Sequence, residues 1–362
     1  MNVNVALIGL GYWGPNLARN LVAVPGATLH TLCDLDSERL SRLSRQYPGV
    51  RLLTDYRMVL DDSQVDAVVI ATPVHTHFQL AAEALRAGKH VLVEKPMAQT
   101  GDQCRKLIGM AEADGLLLMA GHVFLYNAAV QKIKEYIAAG LLGQVYYVYS
   151  QRLNLGIIRQ DVNALWNFAP HDLSILNYWL GGAPLGVMAR GYSYIQAGIE
   201  DVVFMTLDYP EGVGANVHIS WLDPHKVRRL TVVGSEKMVV YDDVNADARV
   251  MVYDKGVTRK AMAPGEYNFE NASLGRFENY GEFQLLLRAG DVLIPKLDFV
   301  EPLKLECQHF VECIRDGRQP LSGGYDGLDV VQALEAAQQS LARNGARIEV
   351  AAGCSASHGF LR

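Results

Sequence analysis

VALIGLGYWGPNL, residues 5–17, decides how the rest of the chain is read. An apolar run ends in Gly9, Gly11 and Gly14, and a helical pattern starts at once with Pro15 in its first turn. In a strand–turn–helix unit the first glycine permits a tight turn. The second lets the backbone approach a pyrophosphate, and the third lets helix and strand pack closely. The helix N-terminus adds unpaired N–H groups and the positive end of its dipole. Pro15 does no harm there, because first-turn N–H groups have no intrahelical partner. Glycine turns alone are common, and Asp34 supplies a second mark. It closes the next strand pattern twenty residues after Gly14, where a carboxylate accepts hydrogen bonds from an adenosine ribose. The expected ligand is a nicotinamide dinucleotide. A carboxylate at 34 repels a 2′-phosphate and favours NAD over NADP, although Arg39 is a nearby cation that pulls the other way.

Outward from this turn, apolar runs alternate with helical patterns: ATLHTLCD then SERLSRLSRQY, DAVVIATP then FQLAAEALRAG, KHVLVEKP then DQCRKLIGMAEADG, and finally LLLMAGH. Such alternation predicts a parallel sheet with crossover helices, buried on both faces. The pattern stops near His122. A helix is expected over 128–139, where Val130, Ile133 and Ile137 share a face and Gly140 follows as a stop. From Gln144 the texture is β-rich. QVYYVYSQ, DVVFMTLDY, VGANVHISWL, RRLTVVGS, KMVVYDD and RVMVYDKG predict a mostly antiparallel sheet. PLKLECQHFVECIRDG and LDVVQALEAAQQSLARNG close this half as helices. The expected fold class is α/β, with a dinucleotide-binding domain over 1–122, a second α/β domain over 123–352 and a tail over 353–362.

Composition narrows the function classes. A chain of 362 residues, 50% hydrophobic, has material for two cores, and a net charge of -6 speaks against a nucleic-acid partner. Cys33, Cys104, Cys307, Cys313 and Cys354 form no C-x-x-C pair and are odd in number, which fits a reducing, cytoplasmic compartment. The apolar run at Val3 to Leu10 lacks a basic flank, so it is a poor signal peptide. No stretch approaches the roughly 18 apolar residues of a membrane span, and a soluble protein is expected.

In an open parallel sheet, ligands collect at the carboxyl ends of the strands. ATPVHTH follows one such strand and EKP another. Thr72 and Pro73 are expected to line the cofactor cleft. His75 and His77 invite a metal reading, but an H-x-H with no third ligand in view assigns no metal. Lys95, held extended by Pro96, can aim its ammonium into the cleft. On residues alone, an ordinary solvated lysine is equally open.

GLGYWG, Asp34, ATPVHTH, EKP, AGH at 120–122 and APHDLSIL together resemble the glucose-fructose oxidoreductase, inositol dehydrogenase and rhizopine-catabolism (Gfo/Idh/MocA) family over almost the whole chain. The resemblance implies a Rossmann domain, then an α/β domain whose open-faced sheet walls the active site and often forms a dimer or tetramer interface. It implies a cofactor surrounded by Gly9, Gly11, Tyr12, Trp13, Gly14 and Asp34. Thr72, Pro73, His75, His77, Glu94, Lys95, Pro96 and His122 complete that set. Lys95 matches the family's catalytic lysine, His171 its active-site histidine, and Pro96 a proline that is commonly cis.

One position departs from the pattern. Many members carry an acidic residue four positions before the histidine, whereas this chain has Asn167. An amide can position a hydroxyl but cannot take its proton. Proton transfer then falls on His171, with Asp172 beside it as an orienter. QRLNLGIIRQDVNALWNFAPHD and ISWLDPHKVRRLTVVGSEKMVVYDD are similar to members acting on nucleotide-linked sugars, in particular UDP-N-acetylglucosaminuronate 3-dehydrogenases, which also lack that acid. Arg152, Asn154, Arg159, Asn163 and Trp166 are then expected at the sugar or diphosphate.

The implied reaction moves a hydride between nicotinamide and a secondary alcohol or ketone, at C3 of a nucleotide-linked sugar. His171, with an ordinary pKa of about 6.5, is the expected base and Lys95 the stabiliser of the alkoxide. The roles exchange if burial lowers the lysine. Rivals are a ketoreductase, a free-sugar or inositol dehydrogenase on the same fold, and a non-catalytic NAD-binding sensor. Retention of Lys95 and His171 counts against the last.

Overall fold

A computed structural model describes residues 2–156, 158–257 and 287–350; the expected tail and Cys354 lie outside them. The first half follows the sequence pattern. Its elements are β1 (Val3–Ile8), α1 (Gly14–Ala23), β2 (Ala27–Cys33), α2 (Ser37–Ser44), β3 (Arg51–Leu53), α3 (Arg57–Leu60), β4 (Ala67–Ile70), α4 (Val74–Arg86), β5 (His90–Glu94), α5 (Gly101–Ala113) and β6 (Leu118–Gly121). The strands pair in parallel in the order β3-β2-β1-β4-β5-β6. Val5, Ala6 and Leu7 of β1 are fully buried, as a strand covered on both faces requires. Because β1 lies between β2 and β4, connections leave it in opposite directions, and a crevice opens at the carboxyl ends of β1 and β4.

The second half contains α6 (Ala128–Ala138), β7 (Val145–Leu153), α7 (Ala164–Leu180), β8 (Gly186–Tyr192), β9 (Val202–Asp208), β10 (Gly214–Ser220), β11 (Val227–Gly234), β12 (Met238–Asp242), β13 (Val250–Val257), β14 (Leu287–Leu293), α8 (Pro302–Asp316), α9 (Gly324–Ala342) and β15 (Ile348–Glu349). Its nine strands run β14-β13-β12-β11-β7-β10-β9-β8-β15. Every pair is antiparallel except β7 with β10. The inner face buries Val148, Met205, Val217 and Val232 in one cluster with Leu173, Leu176 and Trp179 of α7. The outer face leaves Tyr147, Tyr149, Tyr192 and Phe204 exposed.

The last two helices return to the first sheet. α8 places Leu303, Cys307, Phe310 and Val311 in the cluster built by Leu17 and Leu21 of α1. α9 serves two cores: Leu328 and Val331 join Val91 and Ala120, while Val330, Ala333 and Leu334 join the second sheet's cluster. Fully burying a Val or Leu side chain stabilises by about 1.5–3 kcal/mol, so this shared helix fixes the two walls of the crevice against each other. Cys33, Cys104, Cys307 and Cys313 are buried free thiols, and burial pushes those of Cys33 and Cys104 up to about 12. No described helix is long and apolar enough to cross a membrane.

Candidate active site

The crevice is a cleft of about 1890 Å³ between the carboxyl ends of the parallel strands and the second domain. A single small ligand occupies roughly 300–1,000 Å³, so this volume suits more than one. From the first domain it is lined by Gly9, Gly11, Tyr12, Trp13, Asp34, Thr72, Pro73, Glu94 and Lys95. From the second come Arg152, Asn154, Arg159, Asn167 and His171.

The glycine turn passes a direct steric test. Gly9 has φ +98°, and a Cβ there would lie 2.6 Å from the Ala71 carbonyl oxygen. One on Gly14 would lie 2.3 Å from the Gly9 carbonyl oxygen, so Gly14 packs helix against strand and does not line the cleft. At Gly11 a Cβ would meet nothing nearer than Arg39 Nη1 at 3.9 Å. The protein itself does not demand glycine at 11; a closely approaching ligand does. Asp34 accepts from the backbone N–H groups of Leu10 at 2.6 Å and Asp36 at 2.8 Å. Those bonds fix its carboxylate at the cleft and leave lone pairs for ribose hydroxyls. Arg39 is drawn toward this acid pair, 3.1 Å from Asp36 and 3.8 Å from Asp34. It is therefore committed to carboxylates, which leaves the cradle suited to NAD. Asp34→Ala is expected to weaken NAD binding about ten- to hundredfold and to narrow the preference over NADP, as measured by fluorescence titration with both dinucleotides.

Four further expected cofactor residues stand outside the cleft lining. His75 is exposed on α4. His77 is buried, and its ring nitrogens lie 2.9 Å from the Pro96 carbonyl and 2.8 Å from the Thr72 carbonyl. It braces the ends of β4 and β5 from beneath. Pro96 follows a cis peptide bond and is buried. His122 is buried with neither ring nitrogen hydrogen-bonded among the described residues, and burial, with Lys95 nearby, lowers its pKa to about 4. No group of three or more His, Cys, Asp or Glu side chains placed to hold a metal occurs among the described residues.

Lys95 leaves the end of β5 and donates from Nζ to the Asn167 carbonyl at 3.2 Å, one turn of α7 before His171. Burial is the main cause that lowers its pKa, to about 8; Glu94 opposes the shift, and Arg152 and Arg159 add to it. Glu94 moves the other way, up to about 7, because burial outweighs the neighbouring ammonium. His171 sits edge-on to Phe124, ring centroids 5.0 Å apart, with no partner on Nδ1 among the described residues. Burial first, then Lys95, Arg152 and Arg228, hold its pKa well below the ordinary histidine value. The expectation of an unperturbed imidazole is thereby corrected: burial among cations keeps the ring neutral.

Asp172 does not orient His171. It lies on another face of α7, where it accepts from Arg152 Nε at 2.6 Å, Arg152 Nη2 at 3.3 Å and Ser150 Oγ at 2.8 Å. Arg152 is thus held under the Phe124 ring, 4.8 Å from its centroid. Asn163 and Trp166 also leave the cleft lining. Asn163 caps α7 by accepting from the Trp166 N–H at 3.1 Å, and both side chains donate to Gln338. Phe124, which orders both Arg152 and His171, had no sequence signal beyond its place shortly after AGH.

A dinucleotide cradle opening onto a lysine and a neutral histidine defines an NAD-dependent oxidoreductase. Residues 3–122 match the "Oxidoreductase family, NAD-binding Rossmann fold", and residues 130–240 match the "GFO/IDH/MocA C-terminal domain". The chain belongs to the Gfo/Idh/MocA family. It is 26% identical over 361 residues to scyllo-inositol 2-dehydrogenase (NAD(+)) of Bacillus subtilis, covering 96% of each chain. It is 28% identical over 272 residues to UDP-N-acetylglucosamine 3-dehydrogenase of Acidithiobacillus ferrooxidans, covering 73% of this chain and 81% of that one. Among solved structures, GenD2 from gentamicin A biosynthesis in complex with NAD superposes with a TM-score of 0.78 at 25% identity, covering 97% of each chain.

Proposed function

We propose that the protein is a sugar dehydrogenase that oxidises a secondary hydroxyl, at C3 of a nucleotide-linked sugar, and reduces the ketone in reverse. The observation that carries this is Lys95: an amine of lowered pKa in the same cleft as a neutral His171 and the glycine cradle. Bound NAD supplies the acceptor for the hydride lost from the carbon. The chain's own groups handle the proton. Neutral Lys95 accepts it from the hydroxyl, and the Asn167 carbonyl and neighbouring Glu94 hold the ammonium that results. His171 hydrogen-bonds the same oxygen and stays neutral. The base is therefore Lys95, since it is the more basic of the two groups.

The pH dependence separates these roles. Oxidation needs the free amine, which is populated as pH rises through the Lys95 value. kcat/KM for oxidation is expected to rise about tenfold per pH unit below about 8 and to level off above it. Reduction needs the ammonium, so its kcat/KM is level below about 8 and falls about tenfold per pH unit above it. A single limb near the ordinary histidine value would return the base to His171.

The substrate class is tested by following NADH formation with UDP- and dTDP-sugars against free sugars and inositols, and locating the ketone by NMR. The similarity to an inositol dehydrogenase over nearly the whole chain supports the second reading, a polyol or free-sugar substrate. Turnover of free polyols alone would establish that reading instead. The exposed aromatic face of the second sheet, where Tyr147 stacks on Tyr149 and Phe204 on His218, supports a homo-oligomer, readable by light scattering. The buried thiols suit a reducing cytoplasm.

A further inference from the structure

One wall of the cleft carries charge that the proposed proton transfer does not use. It is built by Lys226 and Arg228 at the start of β11, Arg249 before β13, and Phe299 in the coil before α8. The chain as a whole is acidic at -6, so cations gathered on one cleft wall mark a local demand for negative charge. The acids lining that wall meet it only in part. Glu301 is taken by Arg19 through contacts of 2.6 and 2.8 Å. Asp243 accepts from Tyr241 Oη at 3.0 Å and pairs with Arg228 at 3.6 Å, which leaves Arg249 and Lys226 without a carboxylate among the described residues. The Nε of Arg228 and that of Arg249 have no hydrogen-bond partner, and neither Arg249 nor Lys226 forms an ion pair among the described residues.

Phe299 adds a second, independent feature. It is 63% exposed although it lines the cleft, and the Arg249 guanidinium lies 4.6 Å from its ring centroid. A guanidinium suits phosphate oxygens, and an exposed ring beside it suits a flat heterocycle. The arginines expected at the diphosphate are already engaged, Arg152 by Asp172 and Arg159 by Asp161 at 2.6 and 2.8 Å. We infer that Arg228, Arg249 and Phe299 form a nucleoside diphosphate subsite, with the phosphates on the guanidiniums and the base against the ring. This rests on the nucleotide-linked reading above and moves its phosphate contacts from the 152–166 segment to the β11–β13 wall. A neutral free sugar would leave these cations unmatched.

Calorimetric titration of the full chain, saturated with NAD, with UDP, dTDP, inorganic pyrophosphate and glucuronate tests the assignment. UDP or dTDP is expected to bind, and Arg249→Ala to weaken it about ten- to hundredfold. Phe299→Ala is expected to weaken the nucleotide about tenfold and leave pyrophosphate unchanged. The melting shift given by NAD reports that both variants are folded. If wild type turns over a UDP-sugar while both variants bind UDP as tightly as wild type, the subsite is overturned and the nucleotide-linked reading stands. If wild type binds neither nucleotide and oxidises only free sugars, that reading fails and takes the subsite with it. If Arg249→Ala weakens glucuronate but not pyrophosphate, the wall is a carboxylate site and the diphosphate assignment is wrong.

Discussion

Lys95→Ala is expected to lower turnover by about 10³-fold or more while NAD binding stays within a few-fold of wild type. Two separate contributions disappear with the amine. Loss of a positioned general base costs about 10²–10⁴-fold, and loss of an electrostatic donor to a developing alkoxide about 10²–10³-fold. They act on one oxygen, so the costs do not multiply in full. NAD keeps the glycine turn and Asp34, which are anchored by contacts that do not involve Lys95. Lys95→Arg is expected to rescue little, because a guanidinium remains charged at working pH and cannot accept the proton. Single-turnover kinetics and an NAD titration on both variants check this. Wild-type turnover in the alanine variant would remove the proposed chemistry; a parallel loss of NAD affinity would make Lys95 a cofactor contact only.

How much of this was readable in the sequence depends on how local each signal is. The glycine turn, Asp34 and the parallel strands are local patterns; the parallel sheet is as expected because burial on both faces leaves uninterrupted apolar runs such as AVVI and VLV, and the glycine turn and Asp34 stand at the cleft. α7 had no such clarity. Pro170 lies inside it, yet the Asn163 cap and Gly181 at φ +85° bound a helix of 17 residues whose apolar side packs on the second sheet. Tertiary burial outweighed the proline. The same helix explains why Asp172 and Trp166 were misplaced. Adjacent residues on a helix do not share a face, so neighbours of His171 in the chain need not be its neighbours in the cleft. Arg228, Arg249 and Phe299 carry no shared sequence signal, because only the folded second domain brings their segments to one wall.

Asp172→Asn is expected to cost about 3–5 kcal/mol of stability and also to move the pH limb of oxidation downward. The Arg152–Asp172 pair is almost wholly buried, with side-chain exposures of 4% and 0%. Removing one partner of such a pair leaves a desolvated charge uncompensated. Ser150 Oγ and the Phe124 ring cannot replace the lost anion. That cost is a large part of an ordinary folding stability of about 5–15 kcal/mol, so a lowered urea midpoint is the first readout. The second readout distinguishes positioning from mere scaffolding. Arg152 already depresses the Lys95 and His171 pKa values. Without its counter-charge the guanidinium disfavours the Lys95 ammonium more strongly, so the free amine persists to lower pH and the limb falls below about 8. Ser150→Ala, which removes only a neutral donor, should cost about 1 kcal/mol and leave the limb in place. If Asp172→Asn unfolds at the wild-type midpoint, the pair is not the buried anchor described; if the limb stays at about 8, Arg152 does not act on Lys95.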